Sequence, residues 1–186
     1  MGKYYKQLYY NINERLLKDE VLSIIEKHPL HLWDKQLCLT HPKNCNDPWY
    51  HGSGSSAYIT ENNKDFKQYD RETLLKETDF TELNNELKAW PYTFELIQNL
   101  KKQYQLGRTR IMVSERKHVL TWHKDTEDRL HIPVITHEGC RMVIEEESFH
   151  MTTGEVWQVN TNGKFHTAFN GSPLNERIHI VGTLIQ

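Results

Sequence analysis

No stretch of this 186-residue sequence approaches the roughly 18 consecutive apolar residues that a membrane-spanning helix needs. The N-terminal MGKYYKQLYYNINERLL has no apolar run ahead of a small-residue cleavage site, so no secretory leader is expected. Its Met-Gly start is not a myristoylation signal, because Lys6 stands where Ser or Thr is required. Cysteine is scarce. Cys38, Cys45 and Cys140 are odd in number and form no CxxC pair, which argues against a disulfide framework or a zinc knuckle and for a reducing compartment. Surplus basic charge is also missing: 23 Lys and Arg against 25 Asp and Glu leave a net charge of −2. That argues against nucleic acid or an anionic membrane as partner. Apolar residues make up only 37%, yet five Trp, nine Tyr and six Phe offset this, since each can bury a large area. The expectation is a soluble cytoplasmic protein with one core, residues 1–186 forming a single domain.

Two halves differ in hydrophobic period. Residues 1–107 read as a mainly helical and loop support region. Asn11 with Glu14 resembles a capping box, Leu17, Val21, Ile24 and Ile25 share a helical face, and Pro29 ends the helix. The 41–60 segment, HPKNCNDPWYHGSGSSAYIT, reads as a long loop leading into a short strand, with Asp47–Ser56 as a candidate lid. Asp79 and Glu82 suggest a short helix ending near Trp90-Pro91. A stronger helix carries Phe94, Ile97, Leu100 and Tyr104, with Gly107 as its terminator.

Residues 108–186 switch to period two. RTRIMVS, HVLTW, RLHIPVIT, CRMVIE, EVWQVN, HTAFN and RIHIVGTLI are short runs rich in β-branched and aromatic residues, separated by turn signals. Seven such strands argue for a β-sandwich or barrel with the helices packed outside. Trp122, Trp157 and Phe169 read as core aromatics, and the EEE run at 145–147 as a solvated hairpin end.

Eleven histidines are the one excess, and placement decides what they mean. Those at 28, 31, 41, 51, 118, 137 and 150 read mostly as loop or surface residues. His123 and Asp125 stand two apart near a strand end, where i and i+2 point to the same side. Alone the pair reads as a surface imidazole beside a loop carboxylate, and Glu127 or Asp128 could substitute in a shifted turn. His166 opens a later strand and Arg177 the last one. Two His and one carboxylate on one metal face leave other positions open, as in non-haem Fe(II) oxygenases. 2-Oxoglutarate chelates such an iron, and its far carboxylate needs an anchor such as a buried arginine.

The blocks RLHIPVIT, CRMVIEEESFHMTTGEVWQVNTNGKFHTAFNGS and ERIHIVGTL, in that order, resemble the aspartyl/asparaginyl β-hydroxylase-like branch of the 2-oxoglutarate/Fe(II) dioxygenases. The resemblance spans about Arg108 to Leu184. It implies a mostly β fold with flanking α, a double-stranded β-helix (jelly-roll or cupin-like) barrel with the N-terminal helices outside. It implies Fe(II) on His123, Asp125 and His166, and Arg177 on the C5 carboxylate of 2-oxoglutarate. Arg129 and His131, the family's Arg-x-His, would reach the active-site carboxylates, with His179 on the face of Arg177. A serine that anchors 2-oxoglutarate in some members has only Ser114 nearby. With O₂, the implied reaction hydroxylates a C–H bond of an amino acid or peptide residue and releases succinate and CO₂. Animal β-hydroxylases lack the metal carboxylate, so Asp125 brings this chain nearer to bacterial free-amino-acid hydroxylases. A cupin-like metal enzyme that does not use 2-oxoglutarate and a non-catalytic jelly-roll binding domain are the competing readings. Arg177 discriminates against the first, and the intact His123, Asp125 and His166 set against the second.

Overall fold

The structure, a computed structural model, describes residues 2–30, 35–51 and 75–185. Strand β1 (Tyr5–Leu8) precedes helix α1 (Glu14–Lys27), and β2 (Gln36–Cys38) and β3 (Thr40–His41) follow. Two 3₁₀ turns, Glu77–Asp79 and Asn85–Ala89, flank β4 (Glu82–Leu83) and lead into α2 (Pro91–Tyr104). The strand half contains β5 (Leu106–Ser114), β6 (His118–Val119), β7 (Arg129–Ile135) and β8 (Cys140–Ile144). It ends with β9 (Glu147–Phe149), β10 (Val156–Val159), β11 (His166–Asn170) and β12 (Arg177–Leu184).

Local chemistry explains the helix limits. Asn13, two residues beyond the expected Asn11, caps α1 by accepting from the Leu16 N–H at 3.1 Å. Helix α2 starts with Pro91 at its first turn, where the missing N–H costs nothing, and ends on Gln105 in the left-handed region at φ 50°. Gly107 is therefore not the terminator; it already lies in β5. A Cβ there would stand 2.5 Å from the Glu77 carbonyl oxygen, so glycine lets the first 3₁₀ turn lie against the strand. The Asp79-to-Trp90 region holds the end of the first 3₁₀ turn, β4 and the second 3₁₀ turn rather than an α-helix.

The strands form a six-stranded antiparallel sheet, β1-β10-β7-β12-β5-β2, a four-stranded sheet, β6-β11-β8-β9, and the small ribbon β3-β4. Alternation gives the large sheet two unlike faces. Leu130, Ile132, Ile178, Ile180 and Ile111 pack with Leu17, Val21, Ile97 and Leu100 of the two helices. Arg129, His131, Arg177, His179 and Arg110, the alternate residues of the same strands, take the other face. Cross-strand register sets His131, Val181 and Arg110 in one row. The smaller sheet covers this ionisable face. Met142, Ile144, Phe149 and Ala168 join it to Val159 and Tyr4 in a second apolar cluster, and Tyr5 stacks on Phe149 at 3.8 Å. Bordering that cluster at Met142 and Ala168, a cleft of about 700 Å³ is lined by β2, β5, β7 and β12 of the large sheet and by His123 and His166.

The barrel expectation is overturned. Among the described residues no strand belongs to both sheets, so the architecture is a mixed α/β fold with flanking helices and two sheets not closed into a barrel. Only isolated bridges, His123 to His166 and Asp125 to Asn162, extend the pairing. The reason is strand length: β6 and β9, the edges of the small sheet, have two and three residues, too few to continue the ladder around. The HVLTW run accordingly leaves the sheet after Val119, and Trp122, expected in the core, is 52% exposed. The segment 41–51 is pinned by Trp49, which is buried and stacks on His28 at 4.1 Å; the rest of the candidate lid lies outside the described residues. No described helix is long and apolar enough to cross a membrane.

Candidate metal centre

His123 and Asp125 sit between β6 and β7, and His166 opens β11. His123 N–H donates to the His166 carbonyl at 3.1 Å and His166 N–H returns the bond at 2.9 Å, which places the two imidazoles side by side. Gly163 N–H donates to the Asp125 carbonyl at 2.9 Å and fixes the turn between them. One candidate ligand atom from each of the three side chains lies within 4.8 Å of the others. His166 Nε2 is 3.4 Å from Asp125 Oδ2, and His123 Nε2 is 4.0 Å from Oδ1.

Donor logic orients the rings. His123 Nδ1 lies 2.7 Å from the Thr121 carbonyl and His166 Nδ1 3.0 Å from the Lys164 carbonyl. A carbonyl oxygen only accepts, so each Nδ1 carries a proton, and each ring turns its Nε2 to Asp125. Burial works to raise the Asp125 carboxyl. Its contact with His166 and the Arg129 cation outweigh burial and hold it well below the usual carboxylate range. Two imidazoles and one carboxylate, with an open cleft beyond, form a 2-His-1-carboxylate triad; this donor set fits Fe(II).

Arginines dominate the wall behind the triad. Arg129 Nε donates to Asp125 Oδ2 at 2.9 Å, and its NH1 donates to Thr183 Oγ1 at 2.8 Å and to Glu77. Glu77, buried in the first 3₁₀ turn, also accepts from Arg108 and from the Thr183 hydroxyl. Burial would raise its carboxyl, but Arg108, Arg129 and Arg110 together hold it below its ordinary value. Arg110 donates to Gln36 at 2.6 Å, and burial next to Arg108 pushes its guanidinium down to about 9.

Arg177 differs from these. It is buried, its NH2 donates to His179 Nδ1 at 2.9 Å, and no described carboxylate forms a salt bridge with it. Burial pushes it down to about 10, so it stays a cation at neutral pH. Next to it, His179 Nδ1 lies 3.5 Å from His131 Nδ1, and the Nε2 atoms of both rings are buried with no partner among the described residues. A buried cation without an acid, beside an orphaned His131 nitrogen on the cleft wall, suits a small dicarboxylate such as 2-oxoglutarate.

Residues 48–185 match the sequence model of the family described as Aspartyl/Asparaginyl beta-hydroxylase. The chain belongs to the aspartyl/asparaginyl β-hydroxylase family. No protein with a curated description matches. Among solved structures, this hydroxylase-family chain shares its fold with AviO1 from Streptomyces viridochromogenes Tue57 (13% identity, 98% of this chain and 90% of that one, TM-score 0.53). It shares it also with the viral collagen prolyl hydroxylase vCPH from Paramecium Bursaria Chlorella virus-1 (11% identity, 98% and 96%, TM-score 0.52). A Burkholderia pseudomallei oxidoreductase of the 2OG-Fe(II) oxygenase family is 17% identical at TM-score 0.41; the match covers 48% of this chain and 55% of that one.

In this β-hydroxylase relative, His123, Asp125, His166, Arg129, His131 and Arg177 all line the one cleft. Ser114 lines it as well and pairs with Arg177 in register. Arg129 is spoken for by two of the protein's own carboxylates, Asp125 and Glu77. Glu77 is the residue that sequence reasoning missed. One signal could have found it: RTR at 108–110 and Arg129 on one sheet face demand a buried counter-charge.

The two buried histidines make a pH prediction. Burial, reinforced by the Arg177 cation, holds His131 and His179 well below their ordinary value. An unfolded chain protonates them near pH 6.5, while the folded chain resists. Unfolding then takes up protons below about pH 6.5, and each histidine removes up to about 1.4 kcal/mol of stability per pH unit as the pH falls further. The urea midpoint of the metal-free protein is expected to drop between pH 7 and 5, ahead of losses from Asp125 and Glu77, which begin only below about pH 4. A flat profile over that range would show that the folded state accepts these protons.

Proposed function

We propose that the protein is an Fe(II)- and 2-oxoglutarate-dependent dioxygenase that hydroxylates a C–H bond of an amino acid or peptide residue. The observation that carries this reading is the coincidence, in one cleft, of the triad with the buried cation of Arg177, which forms no salt bridge with a described carboxylate. Each half alone has ordinary explanations; together they match a metal and a chelating dicarboxylate. Family membership supports the same reaction class.

His123, Asp125 and His166 would hold Fe(II), and Arg177 with His131 would hold the two ends of 2-oxoglutarate. The bound pair supplies the oxidation: O₂ is consumed, 2-oxoglutarate leaves as succinate and CO₂, and one oxygen atom enters the substrate C–H bond. The protein does the rest. The Thr121 and Lys164 carbonyls hold the Nδ1 side of both imidazoles and so aim their Nε2 atoms. Arg129 holds Asp125 ionised, and His179 steers the Arg177 guanidinium through its Nδ1. Met142 and Ala168 of the second apolar cluster wall off one side of the cleft and keep water from it there. The free thiols of Cys38, Cys45 and Cys140 suit a reducing cytoplasm, where Fe(II) persists.

Anaerobic addition of Fe(II) and then 2-oxoglutarate is the direct test. A weak visible metal-to-ligand charge-transfer band is expected only when both are present. If none develops, this function is wrong.

A further inference from the structure

Glu77 lies far from the metal ligands in sequence and touches none of them, yet the hydrogen bonds lead from it to Asp125. Its Oε2 accepts from Arg129 NH1 and from the Thr183 hydroxyl, and its Oε1 accepts from Arg108. The opposite edge of the Arg129 guanidinium, Nε, donates to Asp125 Oδ2 at 2.9 Å. Glu77, Arg129 and Thr183 are all buried. Glycine at 107 is what admits this turn, since a Cβ would collide with the Glu77 carbonyl oxygen.

Arg129 thus shares one positive charge between two carboxylates on two edges of its plane. Asp125 contributes one oxygen to it. Were Glu77 neutral, Asp125 would be the only carboxylate among the described residues bonded to this buried cation. The favoured geometry for such a pair is a two-bond fork that takes both carboxylate oxygens. Those oxygens hold the lone pairs that a metal needs.

We propose that Glu77 is a positioning residue for the metal site: by engaging the far edge of Arg129, it keeps one Asp125 oxygen available to the metal. The inference rests on reading His123, Asp125 and His166 as metal ligands, and it adds the device that keeps their carboxylate from being captured by its own neighbour.

The test is titration of the metal-free protein with Co(II), followed by its visible d–d absorption, alongside thermal unfolding of the metal-free form. Glu77→Gln is expected to bind Co(II) up to about 10-fold more weakly, the low end of the range for direct outer-shell partners of metal ligands, because it acts through Arg129. The double variant Glu77→Gln/Arg129→Gln is expected to recover most of that loss, because the competing cation is gone. A merely structural role for Glu77 would lower the unfolding temperature without producing the recovery. Glu77→Gln that binds Co(II) as tightly as the wild type, or a double variant no tighter than the single one, overturns the inference. Should Glu77→Gln fail to fold, Glu77→Asp keeps the charge on a shorter arm and is expected to weaken Co(II) binding several-fold; unchanged affinity there also overturns it. Wild-type protein that takes up no Co(II) overturns the metal reading itself, which separates the two failures.

Discussion

His123→Ala is expected to abolish Fe(II) binding and 2-oxoglutarate turnover while leaving the fold standing. The two expectations have separate physical grounds. Nε2 of His123 is one of only three donors in the triad, and even outer-shell partners of such ligands are worth about 10- to 100-fold in affinity. Losing a donor outright should exceed that range, leaving no measurable binding at micromolar Fe(II). Stability is another matter, because the His123 side chain is 44% exposed and its removal leaves no internal cavity. Exposed substitutions of this kind usually stay within about 0.5 kcal/mol. His166→Ala would be a poorer probe, since that ring is buried and its loss confounds metal binding with packing. Calorimetric Fe(II) titration under anaerobic conditions, paired with urea unfolding, checks both halves. Undiminished binding would remove His123 from the ligand set, and a large stability loss would show that the ring is structural.

How far the site could be read before folding depended on the range of each interaction. Arg177-Ile178-His179-Ile180 and Arg129-Leu130-His131-Ile132 display their two faces directly, because strand alternation is a local rule that needs no partner. The same rule set His123 and Asp125 on one side. Sheet closure is not local. Whether a ladder continues around depends on edge strands such as β6 and β9, whose two or three residues are decided by neighbours in space. Strand β1 shows this too: Tyr5–Leu8 has no strong strand pattern and exists by pairing with Val156–Val159, about 150 positions later. Trp122, aromatic and within a strand-like run, reads as core, but the chain leaves the sheet before it. Glu77 was invisible for a related reason. A short 3₁₀ turn has no periodicity, and its importance comes entirely from arginines on distant strands.

Arg177→Gln is expected to raise the KM for 2-oxoglutarate by roughly 30- to several-thousand-fold, because leaving a buried carboxylate without its charged partner costs about 2–5 kcal/mol. Its effect on stability should run the opposite way. A guanidinium held at about 10 is disfavoured as a cation in the folded chain by about 3 kcal/mol, and no described carboxylate forms a salt bridge that repays the burial. Glutamine is neutral and can still donate to His179 Nδ1. The metal-free, cosubstrate-free variant should therefore unfold at the same or a higher urea concentration than the wild type. This combination separates a ligand anchor from a structural ion pair. An arginine that merely staples β12 would lose stability when replaced and leave the KM where it was. Fe(II) affinity provides the internal control, since Arg177 touches none of His123, Asp125 and His166 and should not alter it. Steady-state kinetics across 2-oxoglutarate concentration, with unfolding measured on the same preparation, decides the matter: a destabilised variant with an unchanged KM would remove Arg177 from the cosubstrate site.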